Sequence, residues 1–166
     1  NADNERKLTQ PDPYSGFMMG FNPCRPTSTG WVNIASPDPE VAPRMSGDYL
    51  STQKDLDDVV AMARLLGRIQ DTKGLSSLLL EPPQLDLSTM TDADIIRDFQ
   101  QRATTVYHPC GTCRMGPEPD RAVVDAKLRV HGIEALRVVD ASVFPNITSA
   151  NTNAPTLMVA HRAAQM

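Results

Sequence analysis

Proline does most to limit what this chain can fold into. Its ring fixes φ and removes a backbone donor, so helices tolerate it only in the first turn and central strands exclude it. Fourteen prolines stand against nine glycines in 166 residues. That ratio points to many extended, loop-bounded segments and only a few long helices. The run SPDPEVAP, residues 36–43, is too proline-rich for any helix and reads as a turn region. The β-prone runs Phe17–Phe21 and Gly30–Ala35, punctuated by Pro, Gly and Ser, read as short strands.

Between the prolines, the segment STQKDLDDVVAMARLLGRIQ (51–70) is of a different kind. Leu56, Val59, Val60, Ala63 and Leu66 follow i, i+3, i+4 spacing, and Ser51 or Thr52 can cap the start. Asp55, Asp57 and Asp58 lie early and Arg64 and Arg68 late, as the helix dipole favours. EPPQLDLSTM reads as a loop, and TDADIIRDFQQRA as a second helix with Thr91 as N-cap and Ile95, Ile96 and Phe99 facing inward. TTVYH then reads as a strand that delivers His108 to its end. AVVDAKLRV and ALRVVDAS read as two further strands joined by the turn HGIE, and NAPTLMVAHRAAQM as a final helix with Pro155 in its first turn.

Composition excludes several classes. A net charge of −4, without clustered Lys or Arg, argues against a nucleic-acid partner. No window holds the roughly 18 apolar residues that a transmembrane helix needs. Three cysteines cannot form a full disulfide framework, so reduced thiols in a cytoplasmic setting are the expectation. The polar opening run NADNERKLTQPDPYSG shows no core pattern, and the chain begins without Met and stops inside a helix-like segment. It reads as a piece of something larger.

Two stretches carry chemistry. In YHPCGTCRMG, His108, Cys110 and Cys113 form H-x-C-x-x-C, and Cys24 or His131 could complete a zinc site. Structural zinc usually uses two paired knuckles, however, and only one is present, so no metal is expected. A redox dithiol needs CxxC opening a helix, and here prolines follow. A third reading gives His108 acid–base work, against the simpler role of satisfying a loop carbonyl. In the second stretch, an apolar strand ends at Asp140, Ala141 and Ser142, and the polar loop Thr148–Asn153 feeds into a helix start. That junction is either an anionic-cofactor site or an ordinary Asn-capped helix.

YHPCGTCRMG, VVDAKLRVHGIEALRVVDASVFP and SANTNAPTLMVAHRAA, in that order, resemble the C-terminal portion of the glucose-methanol-choline (GMC) oxidoreductases, FAD enzymes that oxidise alcohols. The choline-dehydrogenase-like branch is the most similar, and the resemblance runs from about Gly16 onward. It implies an α+β or α/β piece of a two-domain fold. Residues 1–110 would contribute a mostly antiparallel substrate-domain sheet with flanking helices, and residues 111–166 would return as strands and a C-terminal helix to the FAD domain. It also implies that His108 is the catalytic base and Asn151 the second member of the catalytic pair. Asp140 and Ala141 would lie against the phosphate-ribityl part of FAD, and Asn153 and Ala154 would face the flavin pyrimidine edge. The cysteines are not required by the family motif and would be small packing residues. The family's G-x-G-x-x-G element is missing from this chain. The resemblance therefore implies a complementary N-terminal FAD-binding polypeptide, with a small-molecule alcohol as substrate. Two alternatives remain at this point: an FAD-bearing cyanohydrin lyase of the same fold, and a non-catalytic binding or assembly fragment.

Overall fold

The computed structural model describes residues 15–166, so the polar opening run up to Tyr14 lies outside the described residues. The chain divides into two compact units. One combines Thr52–Thr105 with the segment that ends at Pro23; the other combines Cys24–Ser51 with Val106–Met166. Each is a small α+β or helical piece.

The first unit is built on α1 (Gln53–Gln70), followed by the single turn α2 (Lys73–Ser76) and by α3 (Asp92–Arg102). Thr52 caps α1 in extended conformation, its hydroxyl accepting from the Asp55 amide at 3.4 Å. Thr91 caps α3 in the same way, accepting from the Asp94 amide at 3.2 Å. Both helices therefore begin where their capping residues place them. The buried stripe of α1 is Asp55, Val59, Ala63 and Gly67, so the inward face is centred one position away from Leu56, Val60 and Leu66, which are half-buried. α1 packs on α3, where Ile95 is buried and Phe99 stacks on Phe21 with ring centroids 5.4 Å apart. The run Phe17–Phe21 is no strand. Among the described residues it pairs with no other segment, and Phe21 is anchored instead by its ring.

Arg64 holds the loop between α2 and α3. Its guanidinium donates to the carbonyls of Leu87 and Met90 and to the Asp92 carboxylate, each at 2.7 Å. Arg64→Ala would leave both carbonyls without their donor. We expect it to lower unfolding stability by about 2 kcal/mol, the usual worth of charge-assisted bonds that are partly solvent-exposed. A denaturant titration of the purified protein checks this.

The second unit opens with the antiparallel pair β1 (Trp31–Asn33) and β2 (Arg44–Ser46), in register Trp31↔Ser46, Val32↔Met45 and Asn33↔Arg44. SPDPEVAP forms the connection between them without a helix, braced by Asp38, whose carboxylate accepts from the Glu40 amide and whose carbonyl accepts from the Val41 amide. A Cβ on Gly30 would lie 2.0 Å from the Ser46 carbonyl oxygen, so only glycine fits there. Asn146 ties this segment to the later chain by donating to the Pro26 carbonyl at 2.9 Å.

Three expected strands do not form. TTVYH is irregular, because Tyr107 adopts left-handed φ of 60° and breaks the alternation. AVVDAKLRV folds back on itself. The Asp125 carboxylate accepts from the amides of Lys127 and Arg129, and Leu128 takes φ of 63°. ALRVVDAS is interrupted in turn by Ala135 at φ of 57°. What remains are single bridges, Met115↔Val124, Val124↔Val130 and Arg129↔Arg137. Hydrogen bonding from the Arg129 side chain and amide holds the Asp125 carboxyl down at about 2. The core under this mesh is Val124, Leu128, Val143 and Phe144, with Cys110, Met115, Val139 and Val159 packed against it. α4 (Asn153–Ala163) closes the unit. Among the described residues, no helix is long and apolar enough to cross a membrane.

Candidate active site

The two chemistry-bearing stretches meet within the second unit. Asp140 is extended and caps a single 3₁₀ turn, Ala141–Val143, rather than ending a strand. Its Oδ1 accepts from the Ser142 amide at 2.8 Å and also from the Ser142 hydroxyl. That turn presents the Ser142 carbonyl to the motif loop, which donates to it from Gly111 at 3.0 Å and from Cys113 at 3.1 Å. One step on, the Met115 amide donates to Val143 at 2.9 Å. The loop that follows His108 is therefore laced along the turn that follows Asp140.

Gly111 sits at φ of 90°, where an L side chain is strained. Gly111→Ala should cost about 1–3 kcal/mol for that backbone strain alone. The matching observation is a lower denaturation midpoint; an unchanged midpoint would mean that the loop relaxes without loss.

His108 is half-buried between left-handed Tyr107 and Pro109. Its Nδ1 lies 3.0 Å from the Thr152 hydroxyl. Thr152 is the N-cap of α4 and is buried, at 7% exposure, whereas Asn151 and Asn153 on either side are exposed. The helix is thus Thr-capped in position, not Asn-capped, and its cap side chain makes no bond to the helix. The Thr152 carbonyl accepts from the Thr156 amide at 3.0 Å and the Thr156 hydroxyl at 2.7 Å, which holds the residue in place. The structure brings His108 and Thr152 into contact and leaves Asn151 next in chain. The Asn151 amide makes no hydrogen bond among the described residues.

Reading the sequence alone passed over Thr152. A signal was available: with Thr152 as N-cap, the third helical residue is Pro155, which has no N–H for the cap to bind. The hydroxyl is released for another partner.

The donor set suits a flavin cofactor. No side chain caps α4, so the first-turn N–H groups of Asn153 and Ala154 stand at an exposed helix start with its partial positive charge. Asp140 is exposed and engages Ser142 through Oδ1, leaving Oδ2 as an acceptor for hydroxyl groups. The cysteines do other work. Cys110 packs against the core, and burial pushes its thiol up. Cys113 contributes its amide to Ser142. Among the described residues, no three His, Cys, Asp or Glu side chains converge as a metal site would require.

The family model described as GMC oxidoreductase matches residues 26–160. The chain is 40% identical over 152 residues to an oxygen-dependent choline dehydrogenase of Vibrio vulnificus (strain YJ016), covering 91% of this chain and 27% of that protein. Among solved structures, pyridoxine 4-oxidase from Mesorbium loti is 34% identical with a TM-score of 0.73, over 86% of this chain and 28% of the oxidase. An FAD-dependent oxidoreductase from Chaetomium thermophilum is 26% identical with a TM-score of 0.76, over 86% of this chain and 25% of its own. The chain therefore spans about a quarter of the length of the relatives it matches.

Proposed function

The chain belongs to the GMC oxidoreductase family, and from that premise we propose that it supplies the base and one wall of the cofactor site for FAD-dependent oxidation of an alcohol to an aldehyde or ketone. The observation that carries this reading is the convergence on one unit of His108, its buried Thr152 partner and the uncapped start of α4. When bound, FAD supplies the hydride acceptor for the carbinol carbon, at its N5 atom.

Moving the proton, orienting the alcohol and walling one side of the cofactor fall to the chain's own residues. His108 removes the hydroxyl proton through Nε2, the ring nitrogen left over once Nδ1 is engaged. Asn151 cannot act as a base, because an amide does not titrate near neutral pH; its role is a hydrogen bond that fixes the alcohol oxygen. Asp140 and Ala141 face the phosphate-ribityl part of the cofactor. Asn153 and Ala154 offer backbone N–H groups to the pyrimidine edge, where the dipole of α4 favours developing negative charge. Residues 1–110 are assigned to the substrate-binding side, where they contribute to a larger antiparallel sheet, and residues 111–166 to the FAD side. The cradle for the pyrophosphate is assigned to an N-terminal FAD-binding polypeptide beyond these residues, since no G-x-G-x-x-G occurs in them. A small-molecule alcohol is the substrate, in keeping with a relative named for choline.

Anaerobic mixing of the full-length, flavin-loaded protein with choline, a panel of primary and secondary alcohols and, separately, a cyanohydrin tests the reaction class. Loss of the oxidised flavin's visible absorbance is the expected result. A flavin that stays oxidised while a cyanohydrin is cleaved would make the protein a lyase, and a flavin inert to every substrate would favour a non-catalytic fragment.

A further inference from the structure

Thr152 lies within hydrogen-bond distance of His108 Nδ1, and what that contact does for the ring goes beyond the reaction proposed above. We infer that Thr152 is a positioning residue that fixes the imidazole tautomer, accepting the Nδ1 proton so that the Nε2 lone pair is free to act as base. This rests on the reading of His108 as the proton acceptor.

The argument starts from the helix. A threonine at an N-cap normally turns its hydroxyl back to the amide two or three residues on. Here the third helical residue is Pro155, which lacks that amide, and no cap bond forms. The hydroxyl instead lies 3.0 Å from His108 Nδ1. Burial of Thr152 to 7% exposure limits competition from water, and the two bonds from Thr156 to its carbonyl hold the backbone that carries it.

A neutral imidazole has one protonated and one bare nitrogen, and the bond made by one decides the state of the other. If the Thr152 hydroxyl donated to Nδ1, Nε2 would carry the proton and could not accept another. If it accepts from Nδ1–H, Nε2 is bare. The same acceptor then stabilises the imidazolium formed when Nε2 takes the alcohol proton.

The test uses the full-length, flavin-loaded protein and anaerobic reduction by the alcohol that reduces the wild type. Thr152→Val keeps the shape and removes the oxygen. Flavin reduction should slow roughly 10- to 100-fold, the effect of one hydrogen bond to a group that becomes charged, with KM close to wild type. The acid limb of the rate profile should move to lower pH, because the imidazolium loses an acceptor. Thr152→Ser should recover most of the rate. If Thr152→Val loses its flavin, Thr152→Ala replaces it with the same expectation.

A Val or Ala variant with wild-type rate and pH profile overturns the inference. So does a Ser variant as slow as Val, which would assign Thr152 to packing alone. His108→Ala run in parallel separates the two levels. If that variant keeps its activity, the parent reading of His108 fails. If it is crippled while Thr152→Val is not, only the tautomer inference fails.

Discussion

His108→Ala in the full-length protein should lower turnover by roughly 10²- to 10⁴-fold, the usual contribution of a positioned general base, while the flavin stays bound. The two halves of that expectation have different origins. Among the described residues, the His108 ring makes its hydrogen bond to Thr152. The loop behind it is held by backbone donors from Gly111 and Cys113 to Ser142 and from Met115 to Val143. Removing the imidazole leaves those bonds untouched, so the cofactor wall should persist. The check is the rate of flavin reduction together with the flavin-to-protein absorbance ratio. Near-normal turnover would remove His108 from the mechanism, and loss of flavin together with activity would make its role structural.

Asn151→Ala should cost less, roughly 10- to 100-fold, because the role proposed for the lost group is to orient the alcohol without taking its proton. Asn151 is exposed and makes no hydrogen bond among the described residues, so its amide is available to a ligand and its loss should not unfold the loop. Asn151→His should retain measurable activity, since an imidazole can donate a hydrogen bond from a similar position. Steady-state kinetics on both variants decide the matter. An Asn151→His variant with bound flavin and no activity would count against the pairing with His108.

The helices were legible in the sequence because their signals are local. Thr52 and Thr91 each accept from the amide three residues on, and the periodic apolar positions lie on one face to within a residue. The strands were less legible because pairing is decided elsewhere in the chain. AVVDAKLRV carries β-branched Val123, Val124 and Val130, yet Asp125 bonds its own neighbours and turns the backbone. Left-handed Tyr107, Leu128 and Ala135 interrupt runs whose composition alone reads as extended. The same limit applied to the site. His108 and the Asn151 loop were visible as separate motifs, as were Asp140 and the start of α4. That Thr152, 44 positions from His108, carries the link between them depends on how α4 docks and on the proline that frees its cap.

The central claim is that His108 takes the alcohol proton at the step that reduces the flavin. The pH dependence of anaerobic flavin reduction, measured for the wild type and for His108→Ala, tests it most directly. A base must be unprotonated to act, so the wild-type rate should fall toward acid pH. The His108→Ala variant should be slow throughout and lack that limb. The same acid limb in both proteins would contradict the claim, because another group would then be titrating.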